Sequence, residues 1–145
     1  MAQTGKDVDT LNSFLRGEIS AVETYRMAMP HVSDDVRRRT LEECQRDHER
    51  RVEALRERIR QLDGEPAHGS GVWGTFSKLV QGGADVLGEN AAISALEEGE
   101  DHGLHDYERD ADKVHGDLRR FVRMELLPAQ KSTHKKLSHL KHTLH

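Results

Sequence analysis

Four stretches of the chain place apolar residues at helical spacing. The first runs Leu11, Leu15, Val22, Tyr25, in steps that return to one face of a helix. It predicts a helix over about residues 10–29, capped by Asp9 or Thr10 and stopped at Pro30. The second stripe is Val36, Leu41, Cys44 or Gln45, His48, Val52, Leu55, Ile59 and Leu62, and it predicts a helix over 34–62. Ser33 is the expected cap, Asp34 and Asp35 suit the positive helix end, and Asp63-Gly64 is the expected stop. The third stripe, Ile93, Leu96, Glu100, Leu104, Tyr107, Ala111 and Val114, predicts a helix over 90–114. The fourth, Phe121, Leu127, His134, Leu137, Leu140 and Leu144, predicts one over 117–143, set off by Gly116 and kinked at Pro128. Between the pairs, residues 63–89 read as a crossover: a loop at Glu65–Ser70, then a short helix over Gly71–Val80 carrying Trp73 and Phe76, broken by Gly82-Gly83.

No segment shows the strict alternation of a strand. Two short-looped helical hairpins joined by a long crossover give an all-α four-helix bundle, with 1–145 as a single domain. Composition agrees. Hydrophobic residues make up 34% of the chain and charged residues 33%, which leaves enough to build a core in 145 residues. A formal net charge of −4 argues against nucleic acid as a partner. No apolar run approaches the ~20 residues of a membrane span, and no secretory signal stands at the N-terminus. Cys44 is alone, so no internal disulfide can form, and the expected setting is the reducing cytoplasm.

The stripes are interrupted by polar residues at buried positions. Glu18 stands between Leu15 and Val22, and Glu100 between Leu96 and Leu104. Each is followed seven residues later by a tyrosine, Tyr25 and Tyr107, on the same face. The second and fourth stripes are interrupted by His48 and His134. The chain therefore reads as two copies of one unit, Glu-x6-Tyr and then an inward histidine. A buried carboxylate is costly unless it is paired, protonated or bound to metal. Two Glu and two His directed at one interior region suit iron, manganese or zinc. The expected ligands are Glu18, His48, Glu100 and His134, with Glu97, one turn before Glu100, as an addition. Around them Tyr25, Tyr107, Gln45, Lys131 and Cys44 form the expected outer layer. The alternative is a metal-free network in which Glu, His and Tyr satisfy one another.

These features resemble the ferritin-like superfamily, which includes rubrerythrins and the di-iron hydroxylases of ubiquinone synthesis. Glu-x6-Tyr, as in Glu18 to Tyr25 and Glu100 to Tyr107, is a pattern similar to that of those hydroxylases. The stretch G-S-G-V-W-G-T-F, Gly69 to Phe76, with A-L-E-E-G-E-D-H-G-L-H-D-Y, Ala95 to Tyr107, resembles a small bacterial family of ferritin-like bundles of unknown function. The resemblance implies a ferritin-like four-helix bundle and a metal-dependent redox centre. Di-iron members carry Glu-x-x-His on the second and fourth helices. Here the residue three before His48 is Gln45, and three before His134 it is Lys131.

Other signals are weaker. His102 with His105, and His139, His142 and His145, are spaced as exposed helical histidines. The third helix is acidic and the stretch after Glu125 is basic, so the two helices attract one another. The arginine runs at Arg37–Arg39 and Arg50–Arg51 are interleaved with acids and read as solvated faces. Trp73 and Phe76 are expected to pin the crossover to the bundle. No nucleotide cofactor is implied. Two functions follow: a metal-binding bundle, or a metal-free structural or stress-related interaction module, in either case an expected homodimer with no insertion into a membrane.

Overall fold

Val8 extends the Leu11–Leu15 stripe one turn toward the N-terminus, and the first helix extends with it. In the computed structural model, which describes residues 2–70 and 88–144, α1 runs Ala2–Ala28. Asp9 and Thr10 therefore lie inside the helix rather than at its cap. Val8 packs against the core beside Leu11 and Leu15, and Asp7 is buried with its carboxylate 3.3 Å from His115 Nδ1. These contacts outweigh the weak helix preference of the first nine residues.

A 3-10 turn, Met29–His31, carries Pro30 and ends α1. The second helix, α2, runs Asp35–Gln61. Its cap is Asp34 rather than Ser33: Asp34 Oδ2 accepts from the Arg37 N–H at 2.9 Å. The Ser33 and Asp34 N–H groups turn instead to Glu89 Oε1, at 3.0 and 3.4 Å, and Arg37 Nη1 pairs with Glu89 Oε2 at 2.9 Å. Val36, assigned by periodicity to the core, is 68% exposed in this first turn. The helix ends at Asp63, with φ 58°, and at Gly64, whose N–H returns to the Ile59 carbonyl at 2.9 Å. A Cβ on Gly64 would stand 2.8 Å from Val8. Glycine there lets the end of α2 close onto the start of α1.

The third helix, α3, runs Glu89–Asp110 and tightens into a 3-10 turn, Ala111–Lys113, so it stops short of Val114. The fourth, α4, is one continuous run of three pieces: an α turn Asp117–Phe121, a π turn Val122–Leu126, and an α-helix Leu127–His142. Pro128 lies just after the π turn and has no N–H to give to the turn before it. The wider π turn absorbs the disruption: the Leu127 N–H bonds back five residues, to the Val122 carbonyl.

All described residues in regular structure are helical. The buried residues separate into two apolar clusters. One joins the early part of α1, the late parts of α2 and α3, and the early part of α4, with Leu11, Leu55, Tyr107 and Phe121 among its members. The other joins the opposite ends, with Ala28, Leu41, Ile93 and Leu137. α1 and α2 thus run antiparallel, as do α3 and α4, and α1 and α3, whereas α2 and α3 run parallel. This is the all-α four-helix bundle expected from the stripes. The short helix expected over Gly71–Val80, with Trp73 and Phe76, lies outside the described residues.

Candidate functional site

Between the two apolar clusters lies a polar layer to which all four helices contribute. From α1 come Glu18 and Tyr25, from α2 His48 and Arg51, from α3 Glu100 and Tyr107, and from α4 Gln130 and Thr133. All eight are buried. Their side chains form one connected set.

His48 is at its centre. Its Nδ1 lies 2.5 Å from Glu18 Oε1, and its Nε2 lies 2.7 Å from Glu100 Oε2. Ionised carboxylates only accept, so both ring nitrogens carry hydrogen and the ring is an imidazolium. Burial alone would depress the His48 pKa, but Glu100 and then Glu18 outweigh it and hold it up at about 9. Burial pushes the Glu18 carboxyl upward, and the Arg51 guanidinium and His48 more than reverse this, to about 2. Burial likewise opposes Glu100, and His48 with its hydrogen bonds carries it below the usual range. Both carboxylates are therefore charged at neutral pH.

The tyrosines bind across the bundle. Tyr25 Oη donates to Glu100 Oε2 at 2.5 Å, and Tyr107 Oη donates to Glu18 Oε2 at 2.8 Å. Burial and the neighbouring carboxylates raise both phenols well above their ordinary range, which keeps them protonated donors.

Arg51 supplies the second cation. Its Nη1 donates to Glu18 Oε2 at 3.3 Å and to Gln130 Oε1 at 2.5 Å. Its Nη2 donates to Asp47 Oδ2 at 2.5 Å, to the Ala129 carbonyl at 3.0 Å and to Thr133 Oγ1 at 2.9 Å. Thr133 Oγ1 in turn donates to Glu100 Oε1 at 2.7 Å. Gln130 Nε2 donates to the Glu100 carbonyl at 2.8 Å and to Glu100 Oε1 at 3.0 Å. Two buried carboxylates thus face one imidazolium and one guanidinium, and the layer is neutral.

Of the residues expected to ligate a metal, Glu18, His48 and Glu100 come together. His134 and Glu97 do not join them. The His134 side chain is 23% exposed and faces Asp101 and Glu97 in the outer groove between α3 and α4. Glu97 accepts from Ser138 at 3.4 Å and from Lys141 at 3.2 Å. The buried stripe of α4 runs Val122, Leu126, Gln130, Thr133, Leu137 and Leu140, in steps of four and three that keep the helical period, and His134 stands one residue off it. Tyr25 and Tyr107, expected around the ligands, bond the Glu100 and Glu18 carboxylates. Gln45 does not: it donates to Glu49 at 3.1 Å on the solvent side of α2. Lys131 is exposed and keeps its charge out of the interior. Cys44 is buried against the layer, and burial with the nearby Glu100 charge pushes its thiol up to about 12, so it stands as a protonated thiol.

Arg51, Gln130 and Thr133 were not read from the sequence. The signal was present in the two halves. His48 follows Glu18 by 30 residues, and Gln130 follows Glu100 by 30. Arg51 follows Glu18 by 33, and Thr133 follows Glu100 by 33. Aligning the halves on Glu-x6-Tyr places Gln130 on His48 and Thr133 on Arg51. A cavity of about 50 Å³ reaches this layer between α1 and α3, past Gly17, Ala21, Gly99 and Gly103.

No described helix is long and apolar enough to cross a membrane. No curated protein and no solved structure matches the chain. One family model does, over α1, α2, the crossover and α3, and it stops before the helix that supplies Gln130 and Thr133. By that match to residues 6–113, the chain belongs to the four-helix-bundle family described as a domain of unknown function, DUF2383.

Proposed function

We propose that this protein is a non-enzymatic helical module, structural or partner-binding in role, whose interior is closed by a neutral ion network in place of a metal centre. The observation that carries this reading is His48, held at both ring nitrogens by Glu18 and Glu100. A metal-bound imidazole needs one bare nitrogen. In di-iron bundles of the kind the sequence resembles, the inward pairs on two helices are Glu-x-x-His. The inward pairs here are His48-x-x-Arg51 and Gln130-x-x-Thr133, which contribute no carboxylate. Arg51 sets a permanent cation beside Glu18, where iron, manganese or zinc would need negative charge. The donor set does not fit a two-metal centre.

The space supports the same reading. A cavity of about 50 Å³ is small against the roughly 300–1,000 Å³ of pockets that hold organic ligands. What the network does provide is specificity of packing. Its bonds tie α1 to α2 and α3, and α4 to α2 and α3, so a one-turn slip of a helix would leave buried charges short of partners.

The test is the ring of His48 in an isotope-labelled sample, observed by nitrogen–proton NMR near neutral pH. Two ring N–H signals, slow to exchange and both lost in His48→Gln, are expected. A single N–H on that ring would overturn the network reading. It would favour the metal-binding bundle with Glu18, His48 and Glu100 as ligands.

A further inference from the structure

We draw no further inference here: the strongest candidate, the cavity of about 50 Å³ between α1 and α3 that Gly17, Ala21, Gly99 and Gly103 border, opens onto the polar layer already described, and nothing among the described residues shows what covers or occupies it.

Discussion

Tyr25 on α1 donates to Glu100 on α3 at 2.5 Å, and the bond is returned by Tyr107 to Glu18 at 2.8 Å. The reciprocity follows from the sequence. Glu-x6-Tyr occurs once on each helix, seven residues span two turns, and the helices run antiparallel. Each carboxylate therefore meets the other helix's hydroxyl. His48 lies between the two carboxylates, so both halves of the chain close on one side chain.

Tyr25→Phe and Tyr107→Phe test this crossing. Each removes one buried donor to a charged acceptor while keeping the ring. A loss of about 1.5–3 kcal/mol is expected for either, read from urea denaturation. Losses under ~0.5 kcal/mol in both would mean the hydroxyls do not hold the carboxylates.

Arg51→Met is expected to be the most damaging single change in the layer. It leaves Glu18 buried with one cation fewer, and breaking a buried pair from one side costs about 3–5 kcal/mol. Arg51→Lys should recover little. An ammonium cannot reproduce the fork that reaches Glu18, Gln130, Asp47 and Thr133 together. Full recovery of the melting temperature in the lysine variant would show that charge alone matters.

The sequence made the four stripes and most of the polar layer legible, because a carboxylate between leucines on one helix face has no solvent to reach. Glu18, His48, Glu100 and both tyrosines were found in this way. Arg51 was hidden by its setting: it follows Arg50 in a run of charges that reads as a solvated face, and only Arg50 is exposed. Gln130 and Thr133 were hidden because Leu127, as apolar as its buried neighbour Leu126, sets a register that leads seven residues on to His134, whereas the buried face runs Val122, Leu126, Gln130 and Thr133. The early start of α1 was missed because Val8 alone extends the stripe, while its partner surface, the end of α2 at Gly64, is distant in the chain.

Gly103→Ala tests how closely α3 and α4 approach. A Cβ at this position would stand 2.7 Å from Gln130 Nε2, which itself bonds the Glu100 carbonyl at 2.8 Å. The amide must then give way and lose its bonds to Glu100. A loss of about 1–3 kcal/mol is expected. In the double variant with Gln130→Ala the added methyl should cost much less, because the clash is gone. Additive losses in the double-mutant cycle would separate the two positions.

The pH dependence of stability follows from His48 and Glu18, with opposite signs. His48 is raised from 6.5 to about 9 in the fold. The groups that face it are Glu18 and Tyr25 on α1, Cys44 and Arg51 on α2, and Glu100 and Tyr107 on α3, whereas α4 presents the uncharged Gln130 and Thr133. Its contribution is full below pH 6.5, declines as pH rises, and is lost above about 9. On the order of 3 kcal/mol is expected to disappear over that window. Glu18 is lowered from 4.5 to about 2, so its contribution is present above pH 4.5 and is lost as pH falls toward 2. Urea midpoints measured from pH 2 to 10 should therefore form a plateau between about 5 and 6.5 with a fall on each side. In His48→Gln the alkaline fall should flatten, since no proton leaves the core there, while the chain is less stable throughout. An alkaline limb unchanged in His48→Gln would assign it to other groups and remove the imidazolium from the network.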